Sequence, residues 1–225
     1  MLKYIENITL EDVKKNEAIS TYIKRGDAVL SVMGYTDHSA GHTLKIAKTA
    51  SDILTGFGYS HREVELVRIA SYMHDIGNVV NRAYHAEAGA IISFTLLSNM
   101  GMPPEEIATI ISAIGNHDEH NGKPISNISA ALIIADKCDV RRSRVKNTDI
   151  ATFDIHDRVN YAVEEAVLQI EEESREINLK LTVDLSMCSV MEYFEIFLSR
   201  MIMSARAAEF LKATFHLYIN DSQLM

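Results

Sequence analysis

Histidine followed directly by aspartate occurs three times in this chain, at His74-Asp75, His117-Asp118 and His156-Asp157. With 9 His and 13 Asp among 225 residues, chance would supply less than one such pair. The pair places a neutral imidazole nitrogen and a carboxylate within one turn of backbone, and both are first-choice ligands for a borderline or hard divalent metal. Context separates the three. His74-Asp75 closes an apolar run, Met73-His74-Asp75-Ile76-Gly77. His117-Asp118 closes a segment that opens at Pro103-Pro104. His156-Asp157 lies in polar sequence just before a strand-like segment, so it is read as a surface pair that holds no metal.

The elements that must carry these residues are mostly helical. Thr9, followed by Glu11 and Asp12, opens a helix whose pattern continues to Met33, and Gly34 stops it. Ser39 caps a second helix reaching about Leu54, on which His42, Ile46, Ala50 and Ile53 share the inward face. Ser60 and Glu63 form a capping box for the helix that ends at His74 and Gly77. Further helices are expected over roughly Ala86 to Met100, from Pro104 to His117, and from Ser126 or Ser129 through Asp136. Near residue 150 the texture changes. Ile177, Leu179, Leu181, Val183 and Leu185 alternate with polar residues as a half-buried strand does. Arg158 to Ile170 is a weaker strand candidate, Val190 to Leu211 an amphipathic helix, and Phe215 to Ile219 a last strand. The expected fold is mainly α: a helical bundle over 1–147 with a small C-terminal α+β (ββαβ) appendage over 148–225.

Several helices therefore bring a candidate ligand to one bundle interior: His42, His74-Asp75, His117-Asp118 and Asp136, with His85 just beyond the His74 helix. Bundle cores commonly build metal sites in this way. The order and context of these residues resemble the HD-domain superfamily of metal-dependent phosphohydrolases. The resemblance rests on His42-Thr43-Leu44-Lys45-Ile46-Ala47, on Met73-His74-Asp75-Ile76-Gly77 and on Leu132-Ile133-Ile134-Ala135-Asp136-Lys137. It extends to His85-Ala86-Glu87-Ala88-Gly89-Ala90 and Ile114-Gly115-Asn116-His117-Asp118, which are similar to the ligand segments of two-metal members. Asn121-Gly122-Lys123-Pro124 lacks the Gly-Tyr-Pro triplet of the cyclic-dinucleotide hydrolases, so that substrate is not implied.

The resemblance implies one metal held by His42, His74, Asp75 and Asp136. It implies a second held by Asp75, His85 and His117 together with Asp118. Iron or manganese is the expected occupant, with zinc, cobalt, nickel and magnesium as further options. The implied reaction is hydrolysis of a phosphate ester, a nucleotide being one such substrate, by metal-activated water. His74 and Asp75 stand at its centre, and Lys45, Arg82, Lys137 and Arg141 are candidate phosphate contacts. His38 and His120 flank ligand segments and border the expected pocket, whereas His61 faces solvent. The same ligand set also suits a di-iron oxygenase. A non-catalytic signalling or binding module is the third reading.

Composition bounds the partners. The net charge of -9 argues against general nucleic-acid affinity, and the basic run Arg141 to Lys146 is its local exception. Cys138 and Cys188 are expected as buried reduced thiols. The N-terminus lacks the layout of a signal peptide, and no apolar run approaches a bilayer span. The expectation is a cytoplasmic protein with a small phosphorylated substrate, no membrane partner and a homodimeric assembly as an option.

Overall fold

The computed structural model describes residues 4, 5 and 7–225, so the N-terminal stretch read above for a leader lies partly outside the described residues. The chain begins with two helices rather than one. α1 (Leu10–Lys15) is closed by a capping box between Thr9 and Asp12, and α2 (Glu17–Val32) starts afresh. Asn16 makes the break. Its backbone is extended, and its side chain accepts from the amides of Ala18 and Ile19, so it caps α2 instead of continuing α1.

The bundle proper consists of α3 (Ala40–Gly56), α4 (His61–Met73), α5 (His85–Asn99), α6 (Pro104–Gly115) and α7 (Asn127–Lys137). α3 packs on α4 and α7, α4 also meets α6, and α5 pairs with α6. Their buried faces carry Ile46, Ile53, Val67, Ile69, Ile110, Ile114, Leu132 and Ile133. α6 stops at Gly115, two residues short of the expected His117. A short 3-10 turn, Ile76–Val79, follows the His74-Asp75 pair and packs against α2 and α5.

The tail opens with a helix, α8 (Ile155–Ala162), where a strand was expected. Asp154 caps it by accepting from the amide of Asp157, and Val159 and Ala162 bury at helical spacing. β1 (Val163–Glu171) starts only there. Glu164-Glu165, which looked like an interruption, sits on exposed positions beside a register irregularity between Val163 and Glu165. β1 pairs antiparallel with β2 (Glu176–Val183), and α9 (Val190–Phe210) crosses over to β3 (Thr214–Ile219), which lies parallel to β2. A two-residue β4 (Ser222–Gln223) closes the sheet in the order β1-β2-β3-β4. The expected bundle with an α+β appendage is therefore the observed fold.

α9 lies along α7, and the buried apolar side chains of bundle and tail form one continuous cluster. Cys138 and Cys188 are both free and buried, and burial pushes the Cys138 thiol up to about 12. Among the described residues no helix is long and apolar enough to cross a membrane.

Candidate metal centre

Four imidazoles meet in the bundle interior because four separate helix ends or faces deliver them. His42 projects from the first turn of α3, His74 ends α4, His85 opens α5, and His117 follows α6. All four are 3% exposed or less. Each ring is pinned by its Nδ1. That of His42 donates to Asp139 Oδ2 at 2.8 Å, that of His74 to the Ser71 carbonyl at 2.7 Å, and that of His117 to the Ile114 carbonyl at 2.6 Å. The Nδ1 of His85 lies 3.1 Å from the Arg82 carbonyl. Donation through Nδ1 fixes the ring and turns each Nε2 toward the cluster, the pattern that orients metal-ligating histidines.

The Nε2 atoms face carboxylates. His42 Nε2 lies 3.5 Å from Asp136 Oδ1 and 3.8 Å from Asp75 Oδ2. His74 Nε2 lies 3.1 Å from Asp75 Oδ2 and 3.6 Å from Asp136 Oδ1. His85 Nε2 is 3.6 Å from Asp75 Oδ1 and 3.2 Å from His117 Nε2. Two sets of donor atoms are compact enough to hold an ion: His42, His74 and Asp136, and His74, Asp75 and His117. The Nε2 atoms of His42 and His74 are buried with no hydrogen-bond partner. An unsatisfied buried polar atom costs about 1–3 kcal/mol, so two of them aimed at carboxylates fit a cation site better than a packing role.

Electrostatics favours the same reading. Burial holds His117 down to about 3, so its imidazole is neutral and ready to donate a lone pair. Burial also opposes charge on His74, but Asp75 and Asp136 overcome it and push this imidazole up to about 10. That proton is one a divalent cation has to displace. Asp75 and Asp136 stay ionised despite burial, Asp75 beside His74 and Asp136 beside Lys137.

Other sequence candidates fall elsewhere. Asp118 joins neither donor set, nor does His85, although His85 Nε2 faces Asp75 and His117. Asp118 Oδ1 accepts from His120, through the backbone amide at 2.8 Å and the ring Nδ1 at 2.7 Å, and its Oδ2 lies 3.5 Å from the far, Nδ1 edge of His85. Lys45 and Arg141 turn away from the cluster to Asp139, at 2.7 and 2.9 Å. Lys137 is buried and spends its charge on Glu119 at 2.7 Å and Asp136 at 2.9 Å. Of the four proposed phosphate contacts, Arg82 is the one that points at the cluster with a loosely held guanidinium: its Nη1 lies 3.8 Å from Asp75 Oδ1, 3.5 Å from Asn78 Oδ1 and 3.4 Å from His85 Nε2. His38 is buried beside the site, His120 sits on the cleft rim, and His61 is exposed. His156 and Asp157 line the same cleft but lie outside both donor sets.

Two supporting residues escaped the sequence reading. Asn78 donates to Asp75 Oδ1 at 2.8 Å and to the Asp75 carbonyl at 2.9 Å, fixing the carboxylate. Asp139 fixes His42. Each stands three residues after a candidate ligand, Asp75 or Asp136, and that helical step was the available signal.

Gly77 sets how closely the two halves approach. A Cβ there would collide with the His85 carbonyl oxygen and the Gly89 amide nitrogen. The backbone after His74-Asp75 thus touches the start of α5, which brings His85 to Asp75. Gly77→Ala should force these segments apart, lower stability by about 1–3 kcal/mol and weaken metal retention, as read by urea melts and metal analysis. Unchanged melting and metal content would show that the contact does not position the site.

The comparisons with known proteins bear on this same stretch. Residues 39–141 match the HD domain family. The match covers just under half of the chain. It contains His42, the His74-Asp75 pair, His85, His117 and Asp136. Over 166 residues the chain is 25% identical to an uncharacterised protein of Methanocaldococcus jannaschii, covering 64% of this chain and 63% of that relative. The chain thus spans less than two thirds of the relative's length. A crystal structure of a predicted HD superfamily hydrolase from an uncultured Thermotogales bacterium is similar at 22% identity with a TM-score of 0.45, over 60% of this chain and 75% of that one.

Proposed function

We propose that the chain is a metal-dependent phosphohydrolase that cleaves a phosphate ester at a dinuclear His/Asp centre. The observation that carries this reading is the pair of buried, unpartnered Nε2 atoms on His42 and His74, set against Asp75 and Asp136. His42, His74 and Asp136 would hold one ion, and His85 and His117 a second, with Asp75 facing both groups. Divalent ions there, iron or manganese by preference, supply Lewis-acid stabilisation of phosphoryl charge and a hydroxide nucleophile at neutral pH.

The chain's own residues do the rest. Asn78 and Lys137 orient the carboxylates of Asp75 and Asp136, so little reorganisation accompanies reaction. Arg82 is placed to neutralise charge developing on the non-bridging phosphoryl oxygens. Next to the cluster, and joined to its small hollow through His38, Arg82, Arg144 and Arg200, lies a cleft of about 890 Å³, room for the organic part of a small ester, with Met33, Tyr35 and Tyr84 on its walls.

The test is metal analysis of protein purified without chelator, followed by a panel of phosphate esters with added manganese or iron. The expected result is about two ions per chain and phosphate release. His85→Ala should lose one ion and keep the other; simultaneous loss of both would contradict this division of ligands. Less than about one ion per chain with no restored hydrolysis would overturn the reading, and dioxygen uptake without phosphate release would replace it by an oxygenase.

A further inference from the structure

α9 contributes more than packing. Along it, Phe197 and Arg200 stand one helical step apart on the side that meets the cleft. Phe197 is buried, and the Arg200 guanidinium carbon sits 5.0 Å from the centroid of its ring. Arg200 Nε donates to Glu119 Oε1 at 3.1 Å. Glu119 is also paired with Lys137, which in turn meets Asp136, so Arg200 shares its one carboxylate partner with a second cation.

Among the described residues, only the Nε of Arg200 has a hydrogen-bond partner, which leaves both Nη groups to the cleft. Arg144, the other cleft arginine from outside the expected contact list, is different. Its donors are spent on the carbonyls of Asp37 and Asp139 and on His38, which makes it a clamp between segments. Arg200 and Arg82 both line the wide cleft and also a small inner hollow whose acids are Asp75 and Asp136 alone. A planar guanidinium anchored at Nε, with free Nη donors above a metal-type cluster, is suited to grip phosphate oxygens.

We propose that Arg200, supplied by the C-terminal tail, binds the substrate's phosphate together with Arg82, so that the HD site is completed by a residue from outside the matched region. This rests on the phosphohydrolase reading for its substrate, but not for its test. The full-length, metal-loaded protein is titrated with inorganic phosphate by calorimetry, and hydrolysis is followed in parallel. Arg200→Ala should weaken phosphate binding about ten- to hundredfold and raise KM by a similar factor, with metal content and melting temperature unchanged. Arg200→Lys should recover part of the affinity, since it keeps the charge and loses the fork.

Equal phosphate affinity in wild type and Arg200→Ala would overturn the assignment. So would failure of the wild type to bind phosphate, or a loss of bound metal in the variant that accounts for the effect. Weakened phosphate binding in Arg200→Ala, with no ester hydrolysed by either protein, would uphold the role of Arg200 and refute the hydrolase reading instead.

Discussion

Asp75→Asn should empty both halves of the metal centre. The Asp75 carboxylate faces His74 and His42 through Oδ2 and His85 through Oδ1, so it touches both groups of imidazoles. The substitution keeps the shape and one hydrogen bond with Asn78 but removes the charge that attracts two cations. Bound metal should fall below about one ion per chain, and kcat/KM by about a thousandfold or more, about 4 kcal/mol of transition-state stabilisation. Because the side chain is nearly isosteric, the circular-dichroism spectrum should not change. A variant that keeps two ions and activity within about tenfold of wild type would remove Asp75 from the centre.

Asp139→Asn should act one step further out. Asp139 is buried, takes the Nδ1 proton of His42, and carries Lys45 and Arg141, with Arg144 at 3.8 Å. Losing the carboxylate frees the His42 ring to rotate or change tautomer, and metal affinity should fall about 10- to 100-fold. The pH dependence of folding gives a second readout. Burial opposes ionisation of Asp139, but the hydrogen bond from His42 and the charge of Arg144 hold its carboxyl well below the usual range. A depressed carboxyl stabilises the fold above its unfolded pKa of about 3.9, and that contribution is lost as pH falls below it. Asp139→Asn should therefore be less stable than wild type at neutral pH, and the gap should narrow in acid. An equal gap at pH 7 and pH 3 would show that the charge of Asp139 is not what stabilises the fold.

Much of this architecture is legible in the sequence because its signals are local. Ser39 and Ser60 announce α3 and α4 through their caps, and the alternation from Ile177 to Val183 announces β2. Failures occur where one short-range signal competes with another. Asn16 has ordinary helix neighbours, yet its side chain satisfies two amides and so starts a new helix. In α8 the apolar residues are too few to distinguish helical from strand spacing over eight positions.

The site divides along the same line. Residue types and helical faces are enough to nominate His42, His74, Asp75, His85, His117 and Asp136. They do not say which way a flexible charged side chain turns. Lys45 and Lys137 are each captured by a carboxylate from a distant segment, Asp139 or Glu119, and Arg141 folds back on Asp139 two residues before it. Arg200 was invisible for the complementary reason: 64 residues separate it from Asp136, and only the packing of α9 on α7 brings it to the cleft.

The contact at Gly77 has a bearing on how the centre survives harsh handling. It joins main chain to main chain, and neither protons nor salt weaken a steric fit. Acid strips metal by protonating the imidazoles and carboxylates, Asp139 behind His42 included, but it leaves this joint as it was. Ligands carried on such a joint behave like a preset jig. Protein acidified briefly, dialysed and brought back to neutrality should take up its ions at the speed of mixing, with no slow refolding phase.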